Sequence, residues 1–561
     1  MSSFVVVAIV NLLLLGQAAS QAPQTAELTG KWRLVVLYFA EDPFVIFEFS
    51  QTDGQLEATS LSAQRFLGNV SVRDISAAAG RLRVEINTLS GPSTFQGKWD
   101  AEEKVFKGTF RYRGTVYPAV LEPTNDRQVG ALGDRSLLTR ILQLRRQPPE
   151  QRVQQLREII RQHEGKPYLS LAYQSLLSSA GQAGLEAKEV KDLIESWIAS
   201  SIPYGPAWTR QVRTLALEAI SGTEAYANIT LDLGLDTWKS LPEDSPTEEK
   251  AQLARIIAEA AKAAGKADLH AKFAALTEEL NKKLDEEYLA KIPPFEPERY
   301  KGRPEPGADR VVLLELFTGA ECPPCVAADV AFDALLESFE PTELIALQYH
   351  LHIPGPDPLT NSYSERRSRY YGVRGTPSTY FNGRAQAGGG GPMSASKAKY
   401  DQYRAIIEPI LYNKKQADIT LDVGRAGDDV VRIAASARIP EGTDAKKPVL
   451  RLFLVERTIR YPGGNKVRFH HNVVRYMPGG ANGYPMADGE VDVTEEVSIE
   501  AVRDELNKYL QQARQRMQFR HGLPPLELDD LAVVAIVQDD ETKEVLHAVW
   551  AEVPPAQAGG E

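Results

Sequence analysis

Apolar and polar residues alternate in short runs over residues 27–125, and small or polar segments such as "TDG", "AAG" and "SGP" separate the runs. Alternation with a period of two predicts strands that bury one face, and closely spaced turns predict hairpins. We expect a small antiparallel barrel or sandwich that serves as a structural or docking module. The predicted strands are GKWRLVVLYF, FVIFEFSQ, RLRVEIN, TFQGKWD, VFKGTFRYRG and TVYPAVLEP.

The pattern changes over residues 130–291, where apolar residues recur three and four positions apart. This period is typical of amphipathic helices, and EQRVQQLREIIRQH and EEKAQLARIIAEAAKAA show it clearly. We predict helical hairpins packed as a bundle or a short solenoid. Trp197, Trp208 and Trp238 are interpreted as core residues of this region rather than as a ligand cage.

A proline-rich linker at 292–310 leads to residues 311–414, in which predicted strands and helices alternate. The continuous apolar runs RVVLLELFTG and ELIALQYHLH predict strands that are buried on both faces. Residues 416–554 return to short β-type runs with one helix among them, and their spacing suggests an immunoglobulin-like sandwich. The predicted fold class is therefore multidomain α+β.

Chain length and net charge limit the number of domains and the kind of partner that can be expected. A chain of 561 residues should hold several domains, because single hydrophobic cores seldom exceed about 250–300 residues. The net charge of -11 argues against a nucleic-acid binder, which would need basic surface to meet phosphates. A nucleic-acid partner is therefore not expected.

The N-terminal residues predict export. An apolar run from Phe4 to Leu15 precedes several small residues, as in a cleaved signal peptide over residues 1–22. The run is too short to cross about 30 Å of hydrocarbon as a helix, although an uncleaved anchor is the alternative. No other segment approaches the length of an apolar span, so we predict a periplasmic or secreted protein without a stable membrane span.

Cys322 and Cys325 are the only cysteines in the chain, and they stand between a predicted strand and a predicted helix. This order puts the first cysteine at a helix N-terminus, where unpaired N–H groups and the helix dipole favour an anion. A thiol in such a position has a lowered pKa and a larger thiolate fraction. Pro323 and Pro324 suit a first helical turn, which needs no N–H there. The pair could serve as a redox centre, a metal clip or a structural staple.

The segments LELFTGAECPPC, QYHLH and GTPSTYFNG resemble the thioredoxin-like superfamily, in particular its secreted or periplasmic proteins with a C-P-P-C pair. Further along, HNVVRYMPGG and AVVAIVQDDETKEVLHA look like the β module that follows the domain in those proteins. The resemblance covers residues 311–414 and, more weakly, the segment after them. It implies a thioredoxin fold for 311–414 and an exchange of thiols with disulfides.

Carried over residue by residue, the resemblance implies that Cys322 is the nucleophile and Cys325 the resolving cysteine. Thr376–Pro377 would be the cis-proline step across from the pair, where an extended substrate can align. The chain departs from the family pattern at two positions. Glu321 stands where most thioredoxins have tryptophan, and a carboxylate there opposes thiolate formation. Leu316 stands where thioredoxin has a buried acid.

Glu315 immediately precedes the position of that buried acid. A one-residue change in the loop would bring its carboxylate under the cysteines as a proton acceptor. Alternatively, Glu315 pairs with an arginine elsewhere in the chain. Both interpretations remain open from the sequence.

The expected function is an exported thiol–disulfide oxidoreductase that acts on protein thiols or disulfides, with an unidentified electron donor or acceptor and no cofactor. One alternative is a copper or zinc site made by Cys322, Cys325 and His350 or His352, since "YHLH" ends the second buried strand. A second alternative is a non-catalytic binding or scaffold protein with a thioredoxin-like domain.

Overall fold

A computed structural model describes residues 28–304, 306–517, 519, 522–524 and 526–555. The predicted signal peptide at 1–22 lies outside the described residues. The chain divides into two compact units, with the boundary between Lys282 and Lys283. In the part of the chain that the structure describes, every helix is too short or too polar to cross a lipid bilayer.

The first unit begins with an eight-stranded antiparallel sheet, which confirms the barrel-like element predicted for this region. The sheet is nearly closed, because its two edge strands, β3 and β4, contact each other. In β5, Leu82, Val84 and Ile86 point into the core. Arg81 and Arg83, which alternate with them, point outward, as expected for a strand that buries one face. The strands are β1 (Gly30–Val36), β2 (Asp42–Thr52), β3 (Gln55–Ala63), β4 (Ser71–Ala78), β5 (Arg81–Thr88), β6 (Gly91–Asp100), β7 (Val105–Tyr112) and β8 (Thr115–Pro123).

A helical region follows, as the period of apolar residues predicts. Its core contains Trp197 and Trp208, and the ring of Tyr173 stacks on Trp197 at 5.4 Å. Trp238 packs edge-on against Phe273 at 5.5 Å. The helices are α1 (Ser136–Leu144), α2 (Pro149–Gln162), α3 (Ser170–Ala180), α4 (Ala187–Ser201), α5 (Pro206–Ile220), α6 (Ala227–Lys239), α7 (Thr247–Ala263) and α8 (Ala267–Leu289).

The second unit is built around a larger mixed sheet. Its first part alternates strands and helices, with β9 and β10 parallel and β9 and β11 antiparallel. The two faces of β9 pack differently, because Leu314 and Leu316 meet α9 and α11 while Leu313 and Phe317 face the opposite side. The elements are β9 (Val312–Thr318), α9 (Val326–Ser338), β10 (Leu344–His350), α10 (Ser362–Tyr371), β11 (Ser378–Phe381), β12 (Arg384–Ala385) and α11 (Ser396–Ile410).

The last part of the chain extends this same sheet, because β16 pairs in parallel with β10 through Val473 and Gln348. The sheet order is β12-β11-β9-β10-β16-β15-β19-β20, with β17 paired to β15, and β13-β14-β18 forms a second sheet. This arrangement does not confirm the immunoglobulin-like topology expected for 416–554. The elements are β13 (Asp418–Ala426), β14 (Val430–Arg438), β15 (Pro448–Arg460), β16 (Phe469–Tyr476), β17 (Tyr484–Pro485), β18 (Glu490–Ser498), α12 (Ile499–Arg514), β19 (Leu531–Asp539) and β20 (Val545–Glu552).

Candidate functional site

The two cysteines form a disulfide in the turn between β9 and α9, with Cα atoms 5.3 Å apart. Pro323 and Pro324 begin a tight turn, closed where the Cys325 N–H donates to the Cys322 carbonyl at 3.0 Å. The turn runs directly into α9, so both sulfurs lie at the positive end of that helix. Cys322 is 1% exposed and Cys325 is fully buried. Chemistry at Cys322 therefore requires neighbouring loops to move.

Thr376–Pro377 lies against the outer cysteine. The Thr376 hydroxyl is 3.4 Å from the Cys322 sulfur, and the Thr376 carbonyl oxygen is 3.8 Å from the same sulfur. The peptide bond between Thr376 and Pro377 is cis. The Thr376 hydroxyl also lies 3.1 Å from the Ile353 carbonyl, which ties a third loop to this edge of the sheet. The structure thus brings together Cys322, Cys325, Thr376 and Pro377.

A loop between β15 and β16 covers the residues that precede Cys322. The Asn465 N–H donates to the Ala320 carbonyl at 2.9 Å, and the Asn465 side-chain amide donates to the Gly319 carbonyl at 3.2 Å. The Gly464 N–H donates to the Glu321 carboxylate at 3.2 Å. The C-terminal strands therefore hold the loop of the disulfide through residues more than a hundred positions away. They also give the Glu321 carboxylate a hydrogen-bond donor.

The glycine-rich segment at 387–392 covers the other side of the turn. The Gly391 N–H donates to the Pro324 carbonyl at 2.7 Å, and the Gly391 carbonyl accepts from the Ala327 N–H at 3.1 Å. At Gly390 the backbone approaches so closely that an added Cβ would overlap the Pro324 carbonyl oxygen and lie 2.8 Å from the Pro377 ring. Glycine is required at Gly390 for this close approach.

Substituting Gly390 tests that contact. We expect Gly390→Ala to lower the free energy of unfolding by about 1–3 kcal/mol and to speed alkylation of the reduced cysteines, because the segment must move off the turn. Gly388→Ala is the matched control, since an added Cβ there meets nothing within 4 Å. Urea unfolding and iodoacetamide kinetics measure both effects. Equal behaviour of the two variants would contradict the contact.

Asp329 is a buried carboxyl near the start of α9 that the sequence analysis did not single out. It lies four residues after Cys325 in α9, so the two side chains share one helical face. Its Oδ1 accepts a hydrogen bond of 2.6 Å from the Thr318 hydroxyl, while Oδ2 receives none from the described residues. Burial raises the pKa of Asp329 well above its ordinary value. The available signal was an acidic residue on the apolar face of CVAADVAF.

Glu315 is not brought to the cysteines. It is fully buried, and its oxygens accept bidentate hydrogen bonds from Arg367 at 2.7 and 2.9 Å. The hydroxyls of Tyr349 and Tyr371 donate to the same carboxylate at 2.9 and 2.6 Å. In β9, Glu315 alternates with Leu314 and Leu316, whose side chains meet α9, so its own side chain points to the opposite face. Of the two interpretations of Glu315 that the sequence left open, the pairing with an arginine is the one that matches these contacts.

The two histidines proposed as metal ligands have other partners. His350 Nδ1 lies 2.8 Å from the Asp357 carboxylate, which also accepts from the Ala320 N–H at 2.6 Å. His352 Nδ1 accepts from the Asp357 N–H at 3.0 Å, and its Nε2 lies 3.1 Å from the Tyr509 hydroxyl. Over the ranges that the structure describes, no group of three or more His, Cys, Asp or Glu side chains could hold a metal ion.

Burial acts differently on the ionisable groups of this cluster. Burial lowers the pKa of His352, and it lowers the pKa of His470, whose ring lies 4.8 Å from His350, to about 3. Burial alone would raise the pKa of Asp357, but His350 and two backbone N–H donors outweigh it and hold the pKa below its ordinary value. Asp357 therefore stays ionised and anchors the disulfide loop through Ala320.

Comparisons with known proteins add little to this geometry. No protein-family model and no curated protein matches the chain. Solved structures that are similar to part of the chain include two from Porphyromonas gingivalis. HBP35 of Porphyromonas gingivalis is 14% identical with a TM-score of 0.30, over 46% of this chain and 80% of that one. A domain of the outer membrane lipoprotein Omp28 from Porphyromonas gingivalis is 16% identical with a TM-score of 0.17, over 26% of this chain and 92% of that one.

Proposed function

We propose that this protein is a thiol–disulfide oxidoreductase whose redox centre is Cys322 and Cys325. The placement of the disulfide carries the proposal: it lies at the start of α9 with the Cys322 sulfur 3.4 Å from the Thr376 hydroxyl. A helix N-terminus stabilises a thiolate there, and the adjacent backbone can align an extended peptide. We further propose that residues 311–414 form a thioredoxin-like domain and that the strands after them are its β module.

The proposed reaction exchanges one disulfide for another. The Cys322 thiolate attacks a substrate disulfide, a mixed disulfide forms, and one substrate sulfur leaves as a thiolate. Cys325 then loses its proton and attacks the Cys322 sulfur, which releases the second substrate thiolate. The substrate gains two electrons and the protein returns to its disulfide form. A thiol donor must reduce that disulfide before another cycle, and the reverse sequence would oxidise substrate thiols.

In this scheme, the Asp329 carboxylate accepts the proton that the Cys325 thiol loses. The two residues are one helical turn apart, and the second carboxylate oxygen of Asp329 receives no hydrogen bond from the described residues. A carboxyl group with a raised pKa is a better proton acceptor near neutral pH than an ordinary aspartate. We propose protein disulfides as the substrates. We also propose that the protein is exported, as residues 1–22 predict.

Trapping the intermediate tests the function. We expect reduced Cys325→Ser to accumulate a mixed disulfide with insulin, because nothing remains to resolve it, and a reductant should release the adduct. Cys322→Ser is the matched control and should accumulate at least tenfold less, since Thr376, beside which the substrate would align, lies against Cys322. Intact-mass spectrometry measures both adducts. Equal rates of insulin reduction by the wild-type protein and Cys322→Ala would overturn the proposal, and bound zinc or copper on the reduced protein would favour the metal alternative.

A further inference from the structure

A cavity of about 460 Å³ opens in the second unit between α10, β15 and the loop at 479–482. Arg367 of α10 lines it and also reaches Glu315, which lies on the face of the sheet opposite α9. The cavity is therefore separate from the disulfide. Its lining contains four arginines, three of them from α10, and only one carboxylate, that of Asp540. Such an excess of guanidinium groups favours an anion.

The floor of the cavity is a fixed guanidinium. Arg451 is 2% exposed and donates to Asp540 at 2.7 Å, to Gln538 at 3.3 Å and to the Ala481 carbonyl at 3.3 Å. A guanidinium carries five N–H donors, so these three contacts leave two for a ligand. Its central carbon lies 5.1 Å from the ring of Tyr370, whose hydroxyl donates to Asp540 at 2.9 Å. The group is thus held before any ligand arrives.

The rim carries more positive charge than its ion pairs balance. Arg366 and Arg369 are exposed on the same helix, α10. Arg369 has only a distant partner, Glu365 at 3.8 Å. Arg366 lies 5.9 Å from the Tyr363 ring, and none of the described carboxylates forms an ion pair with it. By contrast, the charge of Arg367 is balanced by its buried partner. The cavity mouth is therefore positive.

The third wall is a loop in which glycines allow a close approach of the backbone to its neighbours. Gly479 and Gly480 have φ of +73° and +78°, a conformation that other residues rarely adopt. An added Cβ at Gly479 would overlap the ring of Tyr484, and at Gly483 it would lie 2.5 Å from the Leu450 carbonyl oxygen. This wall contains the last glycines of the motif HNVVRYMPGG.

We propose that this cavity binds a small organic anion through a carboxylate or phosphate group. Arginine forks match the planar or tetrahedral oxygens of these groups with paired hydrogen bonds. The volume lies within the range of about 300–1,000 Å³ that is typical of small-molecule sites. Asp540 accepts hydrogen bonds and would select a ligand that also carries a hydroxyl or amino group. The proposal is independent of the redox function.

Titration calorimetry with succinate and with inorganic phosphate tests the site on the full chain. We expect saturable binding of at least one probe, and the stronger probe assigns the carboxylate or phosphate class. The rim variant Arg366→Glu with Arg369→Glu should bind at least tenfold more weakly. Arg73→Glu with Arg81→Glu is the control, because it changes the net charge equally at exposed positions of the barrel. It should stay within twofold of the wild-type protein.

Two results would overturn the proposal. One is the absence of saturable binding of either probe at millimolar concentration, and the other is equal weakening by the rim and barrel variants. Arg451→Met adds a check on the floor and should also bind at least tenfold more weakly, provided that circular dichroism shows the native fold. Cys322→Ser should bind as the wild-type protein does. A failure of the redox proposal would therefore leave this measurement intact.

Discussion

Arg367→Met is expected to destabilise the protein by about 3–5 kcal/mol, because it leaves the Glu315 carboxylate buried without its cation. Both side chains of this pair are nearly inaccessible, at 2% and 0%. The remaining donors, the hydroxyls of Tyr349 and Tyr371, carry no positive charge. The substitution also removes the bond from Arg367 to Gln538, which links the pair to Arg451. A large effect is expected because the protein must either bury a lone charge or protonate it.

Urea unfolding of the full chain measures this effect. Arg432→Met is the matched control, because Arg432 pairs with Glu496 where the two side chains are 62% and 59% exposed, and its loss should cost no more than about 1 kcal/mol. Adding Glu315→Gln to Arg367→Met should recover part of the lost stability, since the stranded charge disappears. If Arg367→Met lowered the free energy of unfolding by less than about 1 kcal/mol, the ion pair of Arg367 with Glu315 would not be a main contributor to stability.

Asp329→Asn is expected to slow the resolution of the mixed disulfide by about 10²-fold, the usual lower bound for a general base. The amide keeps the shape of the side chain but cannot accept the proton of Cys325. The initial attack by Cys322 should change much less, because Cys322 reacts as a preformed thiolate and passes no proton to Asp329. Rapid-quench measurement of the mixed disulfide separates the two steps. The wild-type rate should rise with pH through the raised pKa of Asp329, and the variant should lose that dependence.

We expect Asp329→Asn to raise the free energy of unfolding at neutral pH, although it slows the resolution step. The pKa of Asp329 is higher in the folded than in the unfolded chain, so the folded chain binds more protons between the two values. Stability from this group is therefore greatest below the unfolded pKa and falls as the pH rises toward the folded value. Asn cannot ionise, so the variant should be more stable than the wild-type protein at neutral pH. Slower chemistry with higher stability distinguishes a proton acceptor from a packing residue.

Glu337→Gln is the control on the same helix. Glu337 is exposed two turns beyond Asp329, whereas the nearer Asp333 helps burial to raise the pKa of Asp329 and would not be neutral. The substitution of Glu337 should leave the rate of resolution within about twofold of the wild-type rate. Equal slowing by the two substitutions would assign the effect to the helix and contradict a proton-transfer role for Asp329.

The periodicity of apolar residues predicted many of the strands and helices, because each element forms according to contacts between residues that are close in the sequence. The alternation in β5 and the helical period from α1 to α8 follow from which side chains avoid water, and each element expresses its own period. The start of α9 at the cysteine pair follows from the two prolines and the strand before them. By contrast, the joining of β16 to β10 depends on a strand pairing across more than a hundred residues, which periodicity does not encode.

The residues that could carry the chemistry were visible in the chain alone: two cysteines three positions apart before a predicted helix, and Thr376–Pro377 as their candidate partner. Which carboxylate lies nearer to the cysteines along the chain's folded path depends on tertiary packing. Glu315 and Asp329 are both acidic residues in apolar runs, but the pleat of β9 turns Glu315 to Arg367, whereas the helical repeat of α9 places Asp329 one turn from Cys325. The reason is that side-chain direction depends on which face each element buries, and distant residues set that choice.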